Sequence, residues 1–186
     1  NTSKNWDNWN TIVNSLQKTD DVIKIAMVGK YVTLADSYVS VNEALKHASA
    51  SIGRSVNIDW IDSETLNGNL NQLDNFDGVL VPGGFGTRGS EGIIDTATYA
   101  LEKNIPYLGI CFGFQLAAVA FGRKMCNLEN ANSTEIVADT KHPIIDLLPE
   151  QKDETDMGGS LRLGANEIKI NQDSLAHKIY SSDKIF

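Results

Sequence analysis

Ile105–Gly122, IPYLGICFGFQLAAVAFG, is the stretch whose reading decides the fold. An apolar run from Ile105 to Ile110 reads as a short strand, and it stops at Gly109-Ile110-Cys111-Phe112-Gly113. From Phe112 onward the spacing is helical, with Phe112, Leu116, Val119 and Ala120 able to share one face. A strand that turns sharply into a helix at a nucleophile flanked by glycines is a nucleophile elbow. The flanking glycines matter because side chains would collide where the backbone folds so tightly. The first helical turn also has free N–H groups and a positive dipole end, which favour an anionic sulfur. Cys111 is therefore the candidate nucleophile. The alternative on these residues alone is a small apolar residue packed into the interior, the common fate of a free cysteine.

Outward from the elbow, the rest of the chain supplies the same pattern. Val22–Val28 is apolar enough to lie inside a parallel sheet. Gly29-Lys30-Tyr31 leaves that strand, Asp36 or Ser37 can cap a helix running from Tyr38 to Ile52, and Gly53 ends it. Val56–Ile61 is a second strand, with a polar loop containing Gly68 after it. Val79–Val81 is a third, stopping at Pro82-Gly83-Gly84-Phe85-Gly86, and a helix spans Gly92 to Asn104. Strands alternating with helices predict an α/β fold: a central, mostly parallel sheet with helices on both faces. In such folds ligands gather at the carboxyl ends of strands, the edge where both glycine-rich stretches fall.

Beyond Gly122 the pattern loosens. Glu135-Ile136-Val137 is read as a strand, Lys141 to Met157 as a loop-rich stretch, and Gly158 to Ile170 as two short strands around Gly164-Ala165-Asn166. His177 falls in a terminal helix, after which the chain reads as cut. At the other end, Trp6, Trp9, Ile12, Val13 and Leu16 are spaced as one face of a short helix within residues 1–21, read as a linker or connecting helix.

Composition narrows the classes of function. Length (186 residues) suits one α/β domain, and the net charge of −8 with unclustered basic residues argues against nucleic-acid partners and anionic membranes. No apolar run approaches 18 residues and the amino terminus is too polar for a signal peptide, so a cytoplasmic location is expected. Cys111 and Cys126 are the only cysteines, too few for a disulfide framework.

A cysteine attacking a carbonyl needs two N–H donors for the oxyanion that forms. In an elbow one is the amide after the nucleophile, here Phe112. Pro82-Gly83-Gly84-Phe85-Gly86 is the obvious source of the other, although a plain tight turn or a phosphate cradle remains open; no Gly-Lys-Ser/Thr comes after it, so it is not a Walker A loop. The thiolate also needs a proton partner, usually a histidine held by a carboxylate. His47 is mid-helix, His142 precedes Pro143 in a loop, and none of the three histidines stands in a His-x-Glu arrangement at a strand end.

Seven blocks carry a resemblance. They are Gly29-Lys30-Tyr31-Val32, Ser40–His47, Val81–Gly86, Arg88-Gly89-x-Glu91-Gly92, Leu108–Gly113, Glu129–Glu135 and Gly158–Gly164. Through them nearly the whole chain resembles the glutamine amidotransferase domain of the CTP synthase family, class I (triad) amidotransferases with a flavodoxin-like sheet. Gly-x-Cys-x-Gly marks any triad amidotransferase, whereas Asn-Ser-Thr-Glu and Gly-Gly-x-x-Arg-Leu-Gly are far more specific. The resemblance implies domain limits of 22–186, C-terminally incomplete, and roles position by position. Cys111 would form a γ-glutamyl thioester and release ammonia, with Gly84 and Phe112 as oxyanion donors. Gly83, Gln115 and Glu135 would bind L-glutamine. Arg88, Gly89 and Glu91 would form a lid responding to GTP, an allosteric activator.

The resemblance further implies no cofactor or metal in this domain, with ATP, Mg2+ and UTP on an amidoligase domain of the same full-length, homo-oligomeric enzyme of pyrimidine biosynthesis. The family's His-Pro-Glu segment, bearing the base and its carboxylate, is expected to lie past Phe186. His142-Pro143 is succeeded by Ile144 and is read as a decoy. The 186-residue piece is accordingly expected to be nearly inactive alone. Without the resemblance, Gln115 could cap a backbone group, Glu135 could be a surface carboxylate and Arg88 a solvated cation. Two other functions stand beside this one: an elbow-fold cysteine hydrolase or redox sensor, and a non-catalytic module binding a nucleotide near Lys30 and Arg88.

Overall fold

β1 (Val22–Gly29) occupies the middle of a four-stranded parallel sheet because both of its faces are apolar. Ala26 and Val28 point to one side, Ile25 and Met27 to the other, as the two-residue period of a strand requires. β2 (Ser55–Asp62) pairs along its whole length, Val22 opposite Ser55 through Gly29 opposite Asp62. β3 (Gly78–Val81) pairs with its other edge, and β4 (Tyr107–Gly109) lies beyond β3 with Leu80 opposite Leu108. The computed structural model describes residues 6, 7, 9, 10, 13, 14, 21–32, 36–66, 68–147 and 164–186.

Helices cover both faces. α1 (Val39–Ser51) sets Val41 and Leu45 against Met27, Leu80 and Trp60, with Tyr38 meeting Trp60 edge-on at 5.8 Å between centroids. α2 (Ser90–Lys103) and α3 (Phe112–Met125) share the opposite face, where Ile93, Ile94, Phe112, Leu116 and Val119 bury Ala26, Val28, Val79 and Val81. The strand order β2-β1-β3-β4 reverses direction between β1 and β3. A crevice opens at such a switch point, outside the carboxyl ends of the strands.

Some local expectations are corrected. Glu135–Val137 is a turn: the Ser133 carbonyl accepts from both Ile136 N–H (3.0 Å) and Val137 N–H (3.0 Å), winding the chain out of extended form. The strand there is β5 (Asn132–Ser133), parallel to β6 (Pro143–Ile145). α3 runs through Gly122 as far as Met125, and that glycine admits a neighbour: a Cβ there would sit 3.1 Å from Ile144 Cδ1. The polar loop after β2 contains a 3-10 helix, Leu70–Asn75, anchored by buried Leu73.

The chain divides into two units, residues 1–146 and 147–186. In the second, β7 (Ile168–Lys169) pairs antiparallel with β8 (Lys184–Ile185), so its partner is not a strand across Gly164-Ala165-Asn166. α4 (Leu175–Tyr180) lies between them, capped by Ser174 Oγ accepting from His177 N–H at 3.1 Å. The first strand expected in Gly158–Ile170 lies outside the described residues. So do Ile12 and Leu16 of the amino-terminal helix, where Asp7, Trp9, Asn10, Val13 and Asn14 are helical and Trp6 and Trp9 are exposed.

Candidate active site

The elbow is built by close approach. A Cβ added to Gly109 would overlap the Phe114 amide nitrogen and fall 2.5 Å from Gly113 C. One added to Gly113 would overlap the Val81 carbonyl oxygen and fall 2.8 Å from Val81 Cβ. Both contacts lie beyond what a side chain tolerates, so the glycines two before and two after the nucleophile are steric requirements of the bend. Tyr107, half-buried beneath, donates its hydroxyl to the Gly113 carbonyl at 2.9 Å and fixes that turn; desolvation of the hydroxyl also raises its pKa. Between the glycines Cys111 adopts φ 51°, ψ −109°, and its side chain is exposed. A non-glycine residue in that region is strained by about 1–3 kcal/mol and is held there by its surroundings.

Cys111 faces the loop after β3. A Cβ on Gly83 would lie 3.8 Å from Cys111 Cβ, and one on Gly84 would lie 3.6 Å from Phe112 Cδ1. Among the described residues neither the Gly84 nor the Phe112 N–H donates to a protein acceptor. Two unspent donors therefore flank the thiol. Tyr31, Ser37, Tyr38, Gly83, Gly84, Phe85 and Cys111 line a cleft of about 450 Å3 here, large enough for an amino-acid side chain. A second groove of about 390 Å3 between α2 and α3 includes no part of the elbow loop.

Of the expected binding residues Gly83 lines this cleft, whereas Gln115, Glu135, Arg88, Gly89 and Glu91 lie outside its lining. Gln115 is half-buried on the first turn of α3, its backbone N–H on the Cys111 carbonyl at 3.0 Å and its side-chain amide without a partner among the described residues. Glu135 is half-buried, and its Oε1 accepts from the Gly86 N–H at 2.7 Å, joining the β5 turn to the glycine loop. Arg88 pairs with Glu64 at 2.9 Å and donates to the Lys30 carbonyl at 2.8 Å. Gly89, at φ 65°, caps α2. Glu91 does not join Arg88; both of its oxygens bind Arg123 of α3, at 2.7 and 3.1 Å.

In the sequence Lys30 has a place in the Gly29-Lys30-Tyr31-Val32 block and in the nucleotide-binding alternative but no role in the glutaminase site, yet it is central here. It is buried, with Nζ donating to the Phe85 and Gly86 carbonyls at 2.7 and 2.6 Å and standing 4.2 Å from the Phe112 ring centroid. The available signal is positional: Lys30 directly succeeds the central strand at the switch point. No histidine lines the cleft among the described residues: His47 is exposed on α1, His142 is half-buried before β6, and His177 is in the second unit, 3.2 Å from Asp183. Among the described residues no cluster of three or more His, Cys, Asp or Glu could hold a metal, and no helix is long and apolar enough to cross a membrane.

Comparison with known proteins bears on this geometry. The family model described as glutamine amidotransferase class-I matches residues 33–184. The CTP synthase of Halalkalibacterium halodurans is 51% identical over 180 residues, covering 96% of this chain and 34% of that protein. That of Archaeoglobus fulgidus is 49% identical over 181 residues, covering 95% of this chain and 33% of the relative. A solved Trypanosoma brucei CTPS glutaminase domain with bound acivicin superposes with a TM-score of 0.74 at 31% identity, over 87% of this chain and 64% of that one. The chain spans about a third of the length of the curated relatives it matches.

Proposed function

The chain belongs to the class-I glutamine amidotransferase family, and from that premise we propose that its cleft hydrolyses L-glutamine through a Cys111 thioester. The supporting observation is an exposed thiol, carried on a strained backbone position, beside two unspent backbone N–H groups. Cys111 Sγ forms a bond to the side-chain carbonyl carbon, and the carbonyl π pair moves onto oxygen, received by the Gly84 and Phe112 N–H groups. Collapse re-forms the carbonyl and breaks the C–N bond; ammonia leaves with the proton given up by the thiol. Water then attacks the thioester, releasing glutamate and returning the proton to sulfur.

Gly83 and Gln115 border the substrate, and Glu135 suits its α-ammonium. Ammonia is delivered to an amidoligase portion that uses ATP and Mg2+ to aminate UTP to CTP in the cytoplasm, within a homo-oligomer. The domain, residues 22–186, works without its own cofactor, and residues 1–21 connect it to that portion. GTP acts through Arg88 and Gly89, with Glu91 tying the far end of the segment to α3.

The test is acivicin, with peptide mass analysis of the product. An adduct is expected on Cys111 and none on the Cys111→Ala chain. An unmodified Cys111, or the same adduct yield after Cys111→Ala, would overturn the assignment. Since no histidine lines the cleft among the described residues, turnover of glutamine by this chain is expected to be slow even where acivicin reacts.

A further inference from the structure

A loop of three glycines in five residues, Pro82–Gly86, has many backbone states, and only some aim the Gly84 N–H at a carbonyl beside Cys111. Something must select among them. We propose that Lys30 is a positioning residue: its ammonium clamps the Phe85 and Gly86 carbonyls and so holds the Gly84 N–H in its oxyanion-binding orientation. The inference rests on the glutaminase reading above and adds a residue to it.

The three ammonium hydrogens are accounted for. Two meet the Phe85 and Gly86 carbonyls, at 2.7 and 2.6 Å, and the third side faces the Phe112 ring at 4.2 Å. The Lys30 stem lies against the oxyanion segment itself, since a Cβ on Gly84 would come 3.9 Å from Lys30 Cδ. Opposite the ammonium, Glu135 Oε1 takes the Gly86 N–H at 2.7 Å, so the peptide groups on both sides of Gly86 are pinned. Turning either carbonyl away would strand a buried cation, which the protein interior strongly disfavours.

A lysine buried only for charge balance would pair with a carboxylate. Lys30 forms no such ion pair among the described residues and spends its donors on the loop backbone. Burial lowers its pKa, with the Glu135 charge opposing that shift. The Lys30 carbonyl is held in turn by Arg88 Nη2 at 2.8 Å, fixing the backbone from which the side chain reaches. The same ammonium also faces the ring of Phe112, the residue carrying the second oxyanion donor. One cation thus orders both halves of the anion site.

The test compares two thiol reagents on the intact chain. 6-Diazo-5-oxo-L-norleucine places a ketone oxygen where the glutamine amide oxygen would sit, whereas iodoacetamide needs only an accessible sulfur. For Lys30→Met the maximal rate of diazoketone inactivation should fall about 100-fold, the scale of losing one oxyanion donor, with half-saturation and the iodoacetamide rate within about threefold of the parent. Lys30→Arg keeps the donors but not the point-like head, and should lie about 10-fold below the parent. A general loosening of the fold would raise iodoacetamide reactivity and would not separate the maximal rate from half-saturation.

An unchanged diazoketone rate in Lys30→Met overturns the positioning role. Should that variant not fold, an unchanged ratio of the two rates in Lys30→Arg overturns it equally. If the parent itself resists the diazoketone while iodoacetamide alkylates Cys111, the glutaminase reading fails first.

Discussion

Gly113→Ala is expected to lower the stability of the chain by about 3 kcal/mol or more, the upper range for overpacking a close-packed site. The new methyl would overlap the Val81 carbonyl oxygen and press on Val81 Cβ and Cγ1, each 2.8 Å away. None of these atoms can yield cheaply. Val81 is fully buried in β3, and its carbonyl accepts the Ile110 N–H at 2.9 Å, so retreat would break the link between two strand ends. For a chain of this size the melting temperature should drop by about 6–12 °C, read by thermal circular dichroism. A drop under about 2 °C would mean the bend can open and Cys111 is not rigidly aimed. The same displacement should blunt acivicin labelling in whatever fraction remains folded, because the Phe112 N–H moves with Gly113.

Glu135→Ala is expected to weaken L-glutamine binding by about 30- to 100-fold, the worth of charge-assisted hydrogen bonds to an ammonium in a partly dry site. Glu135 is placed for this by its turn: Ser133 Oγ accepts the Glu135 N–H at 3.2 Å, and the Glu135 side chain already reaches the glycine loop at Gly86. Calorimetry on the Cys111→Ala background isolates binding from chemistry. Glutaramate, which has the amide and carboxylate but no ammonium, supplies the control, and its affinity should be nearly equal with and without Glu135. Equal loss for both ligands would mean that Glu135 serves only to hold Gly86. No loss for glutamine would remove it from the site altogether.

Much of the fold and the elbow is legible in the residues themselves. The elbow can be read because steric exclusion leaves a local signature: glycines at 109 and 113, with an apolar run before and a helical period after. The sheet can be read because β1 and β3 are apolar on both faces, and a doubly covered strand has no choice of register to hide. Glu135–Val137 reads wrongly as a strand because Ile and Val favour strands, yet Ser133 gathers three N–H donors onto its own oxygens and winds the segment into a turn. The packing role of Gly122, which makes room for Ile144 inside α3, has no local signal. Lys30 and the Glu91–Arg123 pair are invisible as contacts for a simpler reason. Their partners lie 55 and 32 positions away, and nothing local in a sequence records which carbonyls a buried ammonium will find.

Whether the Cys111 sulfur takes a γ-glutamyl group can be asked directly with an activated substrate. The γ-p-nitrophenyl ester of L-glutamate expels nitrophenolate without needing a proton, so acylation does not depend on a histidine in the cleft. The account predicts a nitrophenolate burst equimolar with chain, a γ-glutamyl group on the Cys111 peptide that hydroxylamine removes, and neither in Cys111→Ala. A burst of the same size without Cys111, or no acyl group on that peptide, would contradict it.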